Sequence, residues 1–123
     1  MHRYGPRPDP PFRPSPGAAL GRDLTVSFQS RFGPAKWLGP ATDTVLAGLP
    51  AKGVERVAIF APGFSADCVE TLEELAIRGR ETFLDWGGAE FAYFPCLNSS
   101  AEGVAMLQAI LARELAGWVA AAA

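Results

Sequence analysis

The sequence predicts an α/β domain built on a parallel sheet of about three to four strands flanked by helices. Short apolar segments alternate along the chain with longer amphipathic segments. One apolar segment, residues 54–61, is apolar at nearly every position, which is typical of a strand covered on both faces. The order strand, helix, strand, helix, strand, helix implies right-handed crossovers between parallel strands.

The first half of the chain predicts one strand and one helix. Residues 24–30 alternate apolar with polar side chains, a period of two that predicts the first strand. Residues 42–52 predict a short helix, with Thr42 as a candidate N-cap. Pro50 is expected to end or bend that helix, because proline has no backbone N–H and clashes with the preceding turn.

The second half predicts two further strands and two longer helices. Residues 54–61 are the second strand and residues 91–94 are the third. Between them, residues 67–86 carry apolar side chains at helical spacing. A last helix is expected to begin at a capping box formed by Ser99 and Glu102.

Composition divides the chain into three parts. Residues 1–16 contain six prolines and are expected to form a disordered or polyproline-like leader. The α/β domain is expected over residues 17–119, followed by an alanine tail at residues 120–123.

Charge and hydropathy exclude several classes of function. The 123 residues carry a formal net charge of −2 and 49% apolar residues, so the chain has no basic surplus for general nucleic-acid binding. No apolar stretch approaches the roughly 20 residues that a transmembrane helix needs. The prolines of the leader are incompatible with a signal peptide, so we expect a cytoplasmic protein in which Cys68 and Cys96 are free thiols.

The helix that follows the second strand carries the most distinctive group of side chains. Asp67, Glu70 and Glu74 are spaced i, i+3 and i+7, which places three carboxylates along one side of a helix at the carboxyl end of a strand. Such a row can pass a divalent cation or relay protons. It can equally be a solvated face in which Asp67 is the N-cap and the acids complement the helix dipole.

Other candidate residues also have two interpretations. Trp37 is either a core or lid aromatic or the wall of a ligand site, and Arg31 is either a surface cation or a partner for a carboxylate-bearing ligand. Cys68 is either a buried thiol or a metal ligand. His2, the one histidine, lies in the leader, where we expect no catalytic role. No strand-to-helix junction carries a glycine-rich nucleotide fingerprint or a Walker-type lysine.

Four blocks of sequence closely resemble the C-terminal half of ferrochelatase, in the order and spacing of that family. They are Phe-Gln-Ser-Arg-Phe-Gly-Pro at 28–34, Trp-Leu-Gly-Pro at 37–40 followed by Thr-Asp at 42–43, Ala-Pro-Gly-Phe-Ser-Ala-Asp-Cys-Val-Glu-Thr-Leu-Glu-Glu at 61–74, and Leu-Asn at 97–98. The resemblance extends over about residues 18–118. It implies a chelatase-like, doubly wound fold that corresponds to one of two similar domains.

The resemblance implies a reaction and a set of acidic residues. Ferrochelatases insert ferrous iron into protoporphyrin IX, the last step of haem biosynthesis. Glu70 matches the family glutamate that works opposite a histidine in proton removal or metal delivery. Glu74 and Asp67 match a line of acids proposed as a path for metal or protons. On this basis the functional interpretation of the acidic row is favoured over the solvated face.

The resemblance also implies a porphyrin-binding wall. Trp37 matches the tryptophan that borders the macrocycle, and Ser30 and Phe64 match positions in the pocket. Arg31, next to Ser30 in the same block, completes the expected substrate-binding set.

Parts of the family pattern have no counterpart in the sequence. The family histidine lies in an element upstream of the first strand, and the N-terminal domain forms the opposite wall of the cleft; neither is matched here. We therefore expect a truncated or split form with low activity alone and a complementary N-terminal fragment as a possible partner. The chain ends in residues 120–123 without a cysteine-bearing extension, so no iron–sulfur cluster and no other permanently bound cofactor are expected. The alternatives are a non-catalytic porphyrin or metal-binding module, or an inert fragment that self-associates.

Overall fold

The computed structural model of the protein describes residues 20–29 and 36–118. Its elements in chain order are helix α1 (Thr42–Gly48), a 3-10 helix (Pro50–Lys52), strand β1 (Arg56–Phe60), a π-helix (Glu70–Gly79), helix α2 (Arg80–Asp85), strand β2 (Glu90–Phe94) and helix α3 (Ala101–Glu114). The predicted α/β class is confirmed.

The sheet has fewer strands than predicted. β1 and β2 pair in parallel, with Arg56 opposite Glu90 at one end and Phe60 opposite Phe94 at the other. β1 lies within the predicted strand at residues 54–61, and β2 begins at Glu90, one residue before the predicted strand at 91–94. The prediction of three to four strands is wrong for the part of the chain that the structure describes, where the sheet has two.

The predicted first strand is replaced by a single bridge. Within residues 20–29, only Phe28 pairs in the manner of a strand, and its parallel partner is Ala41. Phe28 donates its N–H to the carbonyl of Pro40 at 2.9 Å and accepts the N–H of Thr42 at 3.0 Å. Residues 24–27 have the alternation of a strand, but a ladder of hydrogen bonds requires a neighbouring strand, and no strand among the described residues pairs with them.

Helices cover one face of the sheet and create the core. Alternate residues of β1 and β2 are half-buried, with Phe91 and Tyr93 on the covered face of β2. The ring of Phe83 in α2 is fully buried and lies 6.3 Å, centroid to centroid, from the ring of Phe91. Leu75 of the π-helix and Leu46 of α1 are also buried. The helix that follows β1 is therefore anchored to β2 through its apolar side.

A small residue allows the close approach of the helices to the sheet. A Cβ atom on Gly79, where the π-helix passes into α2, would stand 3.2 Å from Cδ1 of Leu46 and 3.6 Å from Cζ of Phe91. Two elements therefore meet at this glycine, and a larger side chain would push them apart.

The helix predicted over residues 67–86 begins later than predicted, and its first part is a π-helix. It begins at Glu70 as a π-helix and continues without a break through α2 to Asp85. It ends as expected at a glycine pair. Gly87 has a left-handed φ of +99° and donates its N–H to Leu84, while Gly88 donates to Phe83.

Two predicted caps are displaced by one residue. Thr42 is the first residue of α1 and not its N-cap, which is Ala41; the Thr42 hydroxyl is hydrogen-bonded to Ser27 Oγ at 3.0 Å instead. α3 is capped by Ser100, whose Oγ accepts the N–H of Gly103 at 3.1 Å, and not by Ser99.

The predicted leader at residues 1–16 and alanine tail at 120–123 lie outside the described residues. Over residues 20–29 and 36–118, no helix is long and apolar enough to cross a membrane.

Candidate functional site

Two loops meet at the carboxyl end of the sheet, where open α/β sheets bind ligands. Residues 61–69 connect β1 to the π-helix, and residues 95–100 connect β2 to α3. The N–H of Asn98 donates to the carbonyl of Ser65 at 2.9 Å, which joins the two loops. The start of the π-helix is therefore held by the residues that follow β2.

Asp67 is the centre of the junction between these loops. Its Oδ1 accepts hydrogen bonds from Tyr93 Oη at 2.7 Å, from Thr71 Oγ1 at 3.0 Å and from the N–H of Cys96 at 3.3 Å. Its Oδ2 accepts from Asn98 Nδ2 at 2.9 Å. We call this group the Asp67 cluster: Asp67, Thr71, Tyr93, Cys96 and Asn98. The carboxylate thereby links the end of β2 to the first turn of the π-helix.

Asn98 also accepts a hydrogen bond from Asp67. Its Oδ1 accepts the N–H of Asp67 at 2.8 Å, and its Nδ2 also donates to the carbonyl of Cys96 at 2.9 Å. Its φ is +52°, in the left-handed region that asparagine tolerates better than most residues. The turn after β2 therefore uses both the side-chain hydrogen bonds of Asn98 and its left-handed backbone conformation.

The hydrogen bonds of the Asp67 cluster change the acidities of its members. Hydrogen bonds from Asn98 and Tyr93 hold the pKa of Asp67 well below its usual range. Burial, with the Asp67 hydrogen bond, raises the pKa of Tyr93. Burial also raises the pKa of the Cys96 thiol, and the Asp67 carboxylate adds to that effect. At neutral pH the cluster therefore holds one negative charge, on Asp67, among protonated neighbours.

Glu70 is the first residue of the π-helix and is half-buried. Its carboxylate accepts hydrogen bonds from the thiol of Cys68 and from its own backbone N–H, and these lower its pKa. Both donors belong to the turn that begins the helix, where the free N–H groups favour a negative charge. Glu70 is therefore ionised at neutral pH, and its negative charge can attract a cation.

Glu74 lies four residues further along the π-helix, on the next turn. It accepts a hydrogen bond from Nε2 of Gln29, which lies next to the Phe28 bridge. Sequence reasoning did not select Gln29, although it lies in the block 28–34. It likewise missed Asn98, which lies in the block 97–98, and Tyr93, for which no motif gave a signal.

The predicted row of three carboxylates is divided in the structure. Asp67 precedes the helix and turns to the end of β2, whereas Glu70 and Glu74 remain on the helix. Throughout residues 20–29 and 36–118, no three side chains of His, Cys, Asp or Glu are placed to hold a metal ion together. The assignment of these acids to metal or proton transfer stays a prediction.

The structure describes two of the four predicted porphyrin-binding residues. Trp37 is 46% exposed, and Phe64 is half-buried in the loop between β1 and the π-helix. Ser30 and Arg31 lie outside the described residues, as does His2. Cys68 and Cys96 are free thiols, as predicted.

Comparison with known proteins shows where the chain belongs. The ferrochelatase family model matches residues 17–115. A ferrochelatase of Agrobacterium fabrum is 49% identical over 104 residues, 82% of this chain and 30% of the relative. Those of Rhizobium meliloti and a Polaromonas species are each 52% identical, over 78% and 80% of this chain and 28% and 27% of the relatives.

No solved structure shows a significant match. The chain spans about 30% of the length of the curated relatives it matches. Because the matched residues include both strands, the π-helix and the Asp67 cluster, the chain belongs to the ferrochelatase family.

Proposed function

We propose that this chain supplies one wall of a ferrochelatase active site, which inserts ferrous iron into protoporphyrin IX in the cytoplasm to form haem. The observation that carries the proposal is the position of Glu70. It is an ionised, half-buried carboxylate at the carboxyl end of a parallel sheet, in a chain matched to the ferrochelatase family over residues 17–115.

Glu70 is the residue proposed to carry the chemistry. Metal entry requires that two pyrrole nitrogens lose their protons. The lowered pKa of Glu70 keeps its carboxylate ionised, which favours holding ferrous iron near the ring, although it also makes Glu70 a weaker base. We propose that Glu74, one turn further along the helix, extends a path for metal or protons, and that Asp67 lies at the start of this path. Iron is the substrate in this scheme, and no iron–sulfur cluster or other resident cofactor is proposed.

The porphyrin is proposed to lie against the wall formed by Trp37 and Phe64. A flat aromatic macrocycle gains from contact with exposed aromatic rings, and Trp37 is 46% exposed. Ser30 and Arg31 are proposed to bind the polar periphery of the ring, since a guanidinium pairs with carboxylates.

A complementary N-terminal fragment of the family is proposed as a partner. The chain spans about 30% of its relatives, and its one histidine is His2. Without a base opposite Glu70 the chain loses a general-base contribution of roughly 10² to 10⁴ in rate. We therefore propose low activity for the chain alone.

The direct test is metal insertion by the chain alone and in the presence of the remainder of the Agrobacterium fabrum ferrochelatase. We expect turnover mainly in the mixture, and a loss of about 100-fold or more in Glu70→Gln. Glu73→Gln is the matched control, because Glu73 lies on the same helix but pairs with the exposed side chain of Arg78 at 3.3 Å. Full turnover by Glu70→Gln, with Glu73→Gln also active, would contradict the role of Glu70.

The alternative is a non-catalytic porphyrin or metal-binding module, which the exposed Trp37 and the lack of a second histidine favour. Porphyrin titration followed by absorption distinguishes the two. Binding that is lost in Trp37→Ala, with no insertion in the mixture, would support the module. Trp86→Ala is the control, because Trp86 is also exposed but lies at the end of α2, before β2 begins.

A further inference from the structure

The side-chain amide of Asn98 makes a two-point contact with Asp67. Its Oδ1 accepts the N–H of Asp67 at 2.8 Å, and its Nδ2 donates to Oδ2 of Asp67 at 2.9 Å. The two residues are 31 positions apart in the sequence and lie in the two loops at the carboxyl end of the sheet. Because both hydrogen bonds act on one residue, they fix the orientation of Asp67 as well as its distance from the turn after β2.

The turn that carries Asn98 is held by its neighbours. Nδ2 of Asn98 also donates to the carbonyl of Cys96 at 2.9 Å, and the N–H of Asn98 donates to the carbonyl of Ser65 at 2.9 Å. A Cβ atom on Gly103 of α3 would stand 2.8 Å from the Asn98 carbonyl oxygen, so that helix packs directly against the turn. The position of Asn98 is therefore set by the end of β2 and the start of α3, and its amide transmits this position to Asp67.

A series of hydrogen bonds connects Asp67 to Glu70. Oδ1 of Asp67 accepts from the Thr71 hydroxyl at 3.0 Å, and Oγ1 of Thr71 accepts the N–H of Cys68 at 2.9 Å. The thiol of Cys68 in turn donates to the carboxylate of Glu70. Thr71 is fully buried, which fixes the middle of the series, whereas Glu70 is half-buried. The position of the Glu70 carboxylate therefore depends on contacts that begin in the turn after β2.

Asparagine has the properties that position 98 requires. Its φ of +52° lies in the left-handed region, which asparagine adopts more readily than most residues. Its amide supplies one acceptor and one donor to Asp67 at the same time. Aspartate would keep the acceptor but set a second carboxylate against Asp67, and glycine would keep the backbone conformation but lose both contacts.

We propose that Asn98 is a positioning residue for Glu70 and acts through Asp67 and the first turn of the π-helix. This inference rests on the proposed function and adds to it a residue that contacts neither iron nor porphyrin in that scheme. A displacement of about 1 Å in a site can lower a rate by about 100-fold. Loss of the Asn98 contacts should therefore lower kcat for iron insertion. The KM for protoporphyrin IX should stay unchanged, because Trp37 of the proposed porphyrin wall lies outside the two loops.

The first measurement is NMR spectroscopy of the backbone amides in the whole chain, which needs neither iron nor porphyrin. The N–H of Glu70 donates to its own carboxylate, so the amide resonance of Glu70 reports where that carboxylate lies. Asn98→Gly and Asn98→Asp should both shift this resonance and leave that of Gly88, beyond the far end of α2, unchanged. If Asn98→Gly does not fold, Asn98→Asp gives the same test with a side chain of nearly the same size.

Ser100→Ala is the matched control, because Ser100 lies in the same loop but caps α3 and makes no printed contact with Asp67 in the described part of the chain. It should leave the Glu70 resonance unchanged. An unshifted Glu70 resonance in the Asn98 variants would overturn the proposal. An equal shift in Ser100→Ala, or shifts of equal size at Glu70 and Gly88, would also overturn it, since either result indicates a general loss of packing.

The second measurement is iron insertion by the same variants in the presence of the remainder of the Agrobacterium fabrum ferrochelatase. Asn98→Gly and Asn98→Asp should lower kcat by about 10- to 100-fold with an unchanged KM for the porphyrin, and Ser100→Ala should keep its kcat. An unchanged kcat in the Asn98 variants, or a loss confined to KM, would overturn the proposal.

The two measurements separate the positioning of Glu70 from the reaction itself. If the unchanged chain inserts no iron in the mixture, the proposed reaction fails, while a shifted Glu70 resonance would still show that Asn98 positions Glu70. If insertion occurs and is insensitive to Asn98, the proposed function stands and the positioning role fails.

Discussion

Replacement of Gly88 by alanine is expected to destabilise the domain through a steric conflict with Phe83. A Cβ atom on Gly88 would stand 2.2 Å from Cε1 of Phe83 and 2.4 Å from Cδ1 and Cζ. Carbon atoms make favourable contact at about 3.5–4.0 Å, so the new methyl would overlap the ring by more than about 1 Å. Phe83 is 0% exposed and packs near Phe91, so the ring has no open space into which to move.

The size of the effect follows from this overlap. Overpacking of a filled core costs about 1–3 kcal/mol of unfolding free energy, and the short distances place Gly88→Ala near 3 kcal/mol. Gly48→Ala is the matched control, because nothing lies within 4 Å of a Cβ at that position. Since Gly48 ends α1, its replacement is expected to be neutral or stabilising by up to about 1 kcal/mol.

Urea unfolding followed by circular dichroism measures both variants. The double variant Phe83→Leu/Gly88→Ala makes room for the new methyl, so its loss should be smaller than the sum of the two single losses. A Gly88→Ala protein as stable as the unchanged chain, or strictly additive losses in the double variant, would refute the packing of Phe83 against Gly88. Because Phe83 anchors the helix that carries Glu70, the same variant should also weaken the site.

Three further outcomes are expected. Ser100→Ala should cost about 1 kcal/mol of unfolding free energy through loss of the α3 cap, whereas Ser99→Ala should change little; equal losses in a urea titration would contradict the cap assignment. The pKa of Asp67 is lowered on folding, so its contribution to stability is present above the unfolded-state pKa and is lost as the pH decreases. As the pH is lowered below about 3.9, the urea concentration at the unfolding midpoint should decrease, and it should decrease less in Asp67→Asn. The pKa of Tyr93 is raised on folding, so stability should decline above about pH 10, and Tyr93→Phe should reduce that decline; identical alkaline curves would refute it.

Local sequence patterns predicted the two strands of the sheet. The apolar segments at residues 54–61 and 91–94 located β1 and β2. The expectation that residues 54–61 are covered on both faces is wrong, because only alternate residues of β1 are half-buried. Residues 24–30 show the limit of this reasoning. Alternation shows which side chains could be buried, but a strand forms only where a neighbouring strand supplies hydrogen bonds. Among the described residues, that pairing is the single bridge between Phe28 and Ala41.

The structure arranges the three acidic residues differently from the row that the sequence predicted. Helical spacing placed Asp67, Glu70 and Glu74 in one line, and Glu70 and Glu74 do lie on successive turns of the π-helix. Asp67 leaves the line because Tyr93 and Asn98, 26 and 31 residues away in sequence, donate to its carboxylate. Residue spacing within one helix cannot predict these two hydrogen-bond donors, because they lie outside that helix.

The amino-acid sequence was sufficient to predict the α/β class, the positions of β1 and β2 and the blocks shared with ferrochelatases, because each depends on short-range periodicity or on a contiguous motif. Tertiary structure alone decided which acid belongs to the helix and which joins it to β2, and that one sheet face and α3 remain exposed. Those outcomes depend on contacts between residues far apart in the chain, where hydrogen-bond geometry and buried area, and not local pattern, select the arrangement.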